Sequence, residues 1–252
     1  MWQQFKSLYL DGWRAAALFP LLFIIPAIVE FAQHIVEMQS GMYHSIAAAK
    51  AAENDSLRMA FGFAKTLALG LPGYWFIRFL AFRDPVRAAR IESPAFGLWL
   101  VLYLLQAVGL AYGLFGPPLG TALGLAASAE KWAGPIAGAA WSLVGVYLTA
   151  WIVAWPLGRR EVGPVQSVRI MTGSFWRTIG YMIGGVLPLM VVHYGLGYLA
   201  IAVTPDWLDW PVLVIDALIV AWLACTMAGS SYLAALHAAA RKGVALVNEP
   251  HA

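Results

Sequence analysis

Charge is scarce in this sequence and cysteine almost absent. Asp, Glu, Lys and Arg make up 12% of the chain, about half their share in a soluble domain. Apolar residues reach 61% and the mean hydropathy is +0.71, so lipid must supply most of the solvent. The lone cysteine, Cys225, sits in an apolar run, which excludes an intramolecular disulfide and a cysteine-rich structural zinc site. Walker, dinucleotide-binding and zincin patterns are missing. Gly229, Ser230 and Ser231 do not complete the Gly-x-Ser-x-Gly elbow of a serine hydrolase. The formal charge of +3 is dispersed in short basic clusters between apolar runs, unlike the continuous basic face that nucleic acid requires. No enzyme, cofactor or nucleic-acid partner is therefore expected.

What is present is a succession of apolar runs long enough to cross a bilayer, which takes about 20 residues each. They predict an all-α polytopic membrane protein, one integral domain over 1–252, with six spans at about 15–37, 57–82, 96–115, 135–157, 178–203 and 211–237. Residues 1–13 place Trp2, Phe5, Leu8 and Tyr9 at helical spacing among polar residues, as in an amphipathic helix at a membrane surface. Pro20, Pro26 and Glu30 in the run that follows argue for a retained, bent first span, not a cleaved signal. Gly134-x3-Gly138 and Gly180-x3-Gly184 read as seams for close helix packing.

Basic residues orient the spans. With the N-terminus inside, inner segments hold Lys6, Arg14, Arg83, Arg87, Arg90, Arg159, Arg160, Arg169, Arg177, Arg241 and Lys242, and outer ones hold Lys50, Arg58 and Lys131. That asymmetry puts both termini in the cytoplasm by the positive-inside rule. The spans then group as three out-and-back hairpins, each preceded by a cytoplasmic amphipathic segment. Arg14, Arg87, Arg90, Arg169 and Arg177 are the expected contacts with the cytoplasmic membrane face.

Two of those segments share a phrase, Pro85-Val86-Arg87-Ala88-Ala89-Arg90-Ile91 and Pro164-Val165-Gln166-Ser167-Val168-Arg169-Ile170. Phe96 and Phe175 each follow five residues later, ahead of an apolar run, which suggests a duplicated hairpin. The stretches FKSLYLDGWR, PVRAARIESPAF and PVQSVRIMTGSFWR, with the six-span layout, resemble the YciC-like bacterial inner-membrane proteins, a group related to the membrane domain of some glycerophosphodiester phosphodiesterases. The resemblance implies a multi-pass protein of the inner membrane. It carries over no catalytic motif, since the soluble phosphodiesterase domain has no counterpart here.

Ionisable residues within spans are costly and are functional candidates by default. At 1.5 Å of rise per residue, Glu30, Lys65, His193 and Asp216 fall ~8–15 Å below the outer ends of their spans, and His34 lies one turn above Glu30. One polar layer in the outer half of the bundle is expected to hold all five. Glu30 with Lys65 is the expected ion pair, fixing helix register, and a periplasm-facing pocket for protons or a polar headgroup is the alternative. Glu30, His34 and Glu37 share a helical face, but no second His or Cys set accompanies them at ligand spacing, so no metal is expected. Arg78 is expected to snorkel to the headgroups, and His237 to make an interfacial hydrogen bond. The function expected is a non-enzymatic one, through contact with membrane lipids, membrane organisation or binding of another membrane protein. A small transporter or lipid-handling protein is the alternative.

Overall fold

The computed structural model describes residues 1–203 and 205–247; residues 248–252, the end of the expected cytoplasmic tail, lie outside the described residues. The described chain is helical and contains no strand. Its helices are α1 (Trp2–Leu18), α2 (Pro20–Gln39), α3 (Ile46–Ala51), α4 (Ser56–Gly70), α5 (Gly73–Phe82), α6 (Pro85–Ala89), α7 (Ser93–Phe115), α8 (Leu119–Ala122), α9 (Ala127–Ala154), α10 (Pro164–Met171), α11 (Phe175–Ala202) and α12 (Asp206–Arg241).

Five of them, α2, α7, α9, α11 and α12, are long and apolar enough to cross a membrane. The second expected span, 57–82, is instead two helices, α4 and α5, of 15 and 10 residues. Pro72 lacks the amide hydrogen that would continue the ladder, and Gly70 and Gly73 beside it are weak helix formers. At the N-terminus the amphipathic helix runs on to Leu18, past the expected start of the first span. Phe19 leaves helical geometry (φ −128°, ψ 59°), and Pro20 then opens α2 at a position where its missing donor costs nothing. The expected fourth span likewise starts earlier, inside α9, which keeps Pro135 in its interior.

The helices pack as two compact units. The first comprises Met1–Arg90 and Gly180–Ser230, the second Ile91–Ile179 and Ser231–Ala252. In the first unit, α1 buries Leu8, Asp11, Gly12 and Ala15. A Cβ on Gly184 would stand 2.3 Å from the Phe5 ring, and one on Gly229 would stand 2.2 Å from Leu8. Glycine lets α1 lie directly on α11 and α12, and the Tyr9 hydroxyl donates to the Gly184 carbonyl at 3.0 Å. The second unit packs α10 against α9: the Ser167 hydroxyl donates to the Tyr147 carbonyl at 2.8 Å and accepts from the Trp151 amide at 2.9 Å.

The repeated phrase forms α6 in one unit and α10 in the other, each opened by its proline. Its fourth position is fully buried in both, as Ala88 and as Ser167. The seventh position differs: Ile170 is buried and Ile91 exposed. Gly134-x3-Gly138 is not a seam among the described residues, since added Cβ atoms there would meet nothing within 4 Å.

A buried polar cluster as the candidate functional site

Helix α2 carries Glu30, Gln33, His34 and Glu37 at helical i, i+3, i+4, i+7 spacing and therefore on one face. All four are buried, with Glu30 at 0% exposure. α4 packs against α2 and brings two cations to that face. Lys65 Nζ lies 3.1 Å from Glu30 Oε2, and Arg58 Nε lies 3.0 Å from Glu37 Oε1. Glu30 and Glu37 are two turns apart, as are Arg58 and Lys65, and the pairs match in opposite chain directions. The hairpin is thereby fixed in one register, because a shift by one residue would misalign both pairs.

Two further residues of the same unit close the cluster. Asp216 of α12, also at 0% exposure, lies 2.9 Å from His34 Nε2 through Oδ2. His193 of α11 places Nδ1 2.8 Å from Asp216 Oδ1. His34 Nε2 is 3.4 Å from Glu30 Oε1, and its Nδ1 is 3.1 Å from Glu37 Oε2. The Gln33 amide donates to Glu37 Oε1 at 2.8 Å, and the Tyr43 hydroxyl donates to Glu37 Oε2 at 2.9 Å. Burial, and after it the neighbouring Glu37 carboxylate, push the Tyr43 hydroxyl above the ordinary tyrosine value, so Tyr43 acts as a donor. Ala200 and Leu213 pack over Tyr43 and shield that end from solvent.

All five residues expected to share a layer, Glu30, His34, Lys65, His193 and Asp216, thus meet in one network. The sequence reading missed the anchoring of Glu37 by Arg58 and the roles of Gln33 and Tyr43. The signal for the first was available in the matched seven-residue spacings; nothing in the local sequence around Tyr43 marks it. Three carboxylates face two permanent cations here, so one negative charge is left for His34 and His193 to answer. Such a set can hold protons or a cation.

No family model, curated protein or solved structure matches the chain.

The expected membrane-face arginines lie elsewhere. Arg14, Arg87, Arg90, Arg169 and Arg177 are all exposed. Arg14 and Arg83 both pair with the buried Asp11, at 3.3 and 2.6 Å. Arg78 corrects the sequence reading: it is fully buried, not snorkelling. Its guanidinium lies 5.0 Å from the Tyr74 ring centre and 4.9 Å from that of Phe82, and Nη2 donates to the Arg87 carbonyl at 3.3 Å. The rings and carbonyl on α5 and α6 replace the headgroup contact. His237 is bonded by Arg177, Nη1 to Nε2, at 3.0 Å.

Proposed function

We propose that this chain is a non-enzymatic protein of the bacterial inner membrane with the YciC-like layout, six spans in three hairpins and both termini in the cytoplasm, acting through lipid contact, membrane organisation and binding of another membrane protein. In this reading α4 and α5 together make the interrupted second span. The observation that carries it is the bareness of α7 and α9. Only 6% of the apolar window of α7 is buried, against 56% for α12. Leu104, Leu105 and Val108 on α7, and Ile136 and Trp141 on α9, are among the exposed apolar side chains. Water would penalise that surface by about 25 cal/mol per Å², so lipid tails or an apolar partner helix are its natural surroundings.

Other features agree. The Asp11 to Arg83 ion pair ties α1 to the segment after α5, two stretches assigned to the cytoplasmic side. The exposed arginines would bind anionic lipid at about 1 kcal/mol each. The polar cluster serves as a clamp that sets the register of α2, α4, α11 and α12. A transporter or lipid-handling role is the second reading, favoured by the part exposure of the Lys65 and His193 side chains, 20% and 17%. The direct pairing of carboxylates at 0% exposure favours the clamp.

Spin labels at Leu105→Cys and Leu143→Cys, on a Cys225→Ala background in liposomes, test the reading. Lipid contact gives high accessibility to oxygen and low accessibility to a polar nickel chelate. A partner surface gives low accessibility to both. High chelate accessibility would refute the membrane assignment of these helices.

A further inference from the structure

We propose that Glu30, His34, His193 and Asp216 form a binding site for one divalent transition-metal ion of the zinc class. This goes beyond the clamp reading of the same cluster.

The ligand atoms already converge. One atom each from Glu30, His193 and Asp216 lie within 4.8 Å of one another. His34 Nε2 lies beside that group and touches two of its members, 2.9 Å from Asp216 Oδ2 and 3.4 Å from Glu30 Oε1. Four ligands at about 2.1 Å from a tetrahedral zinc ion stand ~3.4 Å apart, so binding draws the three converging groups together and brings His34 in beside them. Two carboxylates cancel a divalent charge, and two imidazoles complete the shell without adding any. A neutral site of this kind suits a low-dielectric interior, where an uncompensated charge is strongly unfavourable. Two imidazoles and two carboxylates match zinc and its neighbours, whereas calcium and magnesium require six or more oxygen ligands.

The surroundings of His34 point the same way. Its Nδ1 faces the Glu37 carboxylate at 3.1 Å, and Glu37 is itself held by Arg58, Gln33 and Tyr43. A carboxylate on the second ring nitrogen is the usual device that orients a metal-binding histidine. A neutral imidazole has one N–H, and with that hydrogen on Nδ1, facing the Tyr43 hydroxyl oxygen at 2.8 Å and the Glu37 carboxylate at 3.1 Å, Nε2 turns its lone pair toward two carboxylates. A shared cation satisfies all three groups. Glu30 Oε2 is buried and makes no hydrogen bond among the described residues; its neighbour there is Lys65, 3.1 Å away on a flexible, part-exposed side chain. Lys65 is the stand-in that the ion displaces.

Untagged full-length chain in detergent, stripped with chelator and dialysed against Zn²⁺, should retain one ion per chain by elemental analysis. Co²⁺ in its place should give the intense visible bands of a four-coordinate site. His193→Ala and Asp216→Asn should weaken Zn²⁺ binding at least ~100-fold, and Glu37→Gln by ~10- to 100-fold. Lys65→Met, which removes the competing cation, should tighten binding several-fold; a clamp without a metal role predicts no such gain. His44→Ala and His237→Ala should change nothing. Failure of the wild type to retain Zn²⁺ overturns the proposal, as does a weak six-coordinate Co²⁺ spectrum. So does binding that His44→Ala or His237→Ala abolishes. If both ligand variants fail to fold, Lys65→Met decides, and unchanged Zn²⁺ affinity there also overturns it. None of these readouts depends on which way the chain crosses the membrane or on lipid contact at α7.

Discussion

Removing the two partners of the Glu30 to Lys65 pair should have unequal costs. Glu30 is fully buried, and with Lys65→Met its carboxylate stays in place near a second buried carboxylate, Asp216. An orphaned buried charge of this kind costs about 3–5 kcal/mol. Glu30→Gln leaves Lys65, whose side chain is 20% exposed and long enough to carry its charge outward, so ~1–2 kcal/mol is expected. The double variant removes both charges and should lie within ~1 kcal/mol of the wild type, a coupling of about 3 kcal/mol or more. Unfolding in mixed micelles, titrated with a denaturing detergent in chelator-containing buffer and followed by tryptophan fluorescence, measures all four corners. Strict additivity would refute the clamp, as would a double variant as unstable as Lys65→Met. A costlier Glu30→Gln than Lys65→Met would refute the asymmetry.

Two further outcomes follow from the packing and one from the chemistry. Gly229→Ala places a methyl 2.2 Å from Leu8 and 2.9 Å from Phe76 and should cost ~1–3 kcal/mol by overpacking. Gly145→Ala, with nothing within 4 Å, should be neutral or stabilising by up to ~1 kcal/mol through helix propensity. The same micelle titration compares them. Tyr43 gives a pH dependence. Its hydroxyl is raised above the ordinary value of 10.0 in the folded chain, so the unfolded state loses this proton first as pH rises. The stability it contributes is intact below about pH 10 and falls above it, and Tyr43→Phe should flatten that alkaline loss in a pH series of unfolding midpoints.

Much of the site was legible in the sequence because charge within an apolar run is rare and must find partners. Helical rise alone brought Glu30, Lys65, His193 and Asp216 to one depth, and the hairpin connection made Glu30 and Lys65 neighbours. Arg58 was harder to place. It lies at the start of α4, where a positive residue reads as a surface charge, and only its spacing from Lys65, mirrored by Glu37 and Glu30, reveals the second pair. Tyr43 was invisible, since its partners come from the fold of a short turn and not from periodicity. Arg78 misled for a general reason: an arginine near a helix end usually finds headgroups, and nothing in the local pattern shows that Tyr74, Phe82 and the Arg87 carbonyl form a cage for it. The expected second span, 57–82, is divided at Pro72, which has Gly70 and Gly73 close on either side. The repeated phrase was legible as two short proline-opened helices. The helices it forms, α6 and α10, nonetheless lie in different packing units, and the final isoleucines of the two copies differ in burial.

In the proposed orientation α1 and the arginine-bearing segments lie on one side of the membrane, with the polar cluster displaced toward the other. Membrane-impermeant thiol labelling of single cysteines on the Cys225→Ala background, in right-side-out and inverted vesicles, tests it most directly. Ser7→Cys and Lys242→Cys should label only from the cytoplasmic side, and Asn54→Cys and Leu123→Cys only from the opposite side. Labelling of Ser7→Cys and Asn54→Cys from the same side would mean that α2 does not cross the membrane, and would contradict the account.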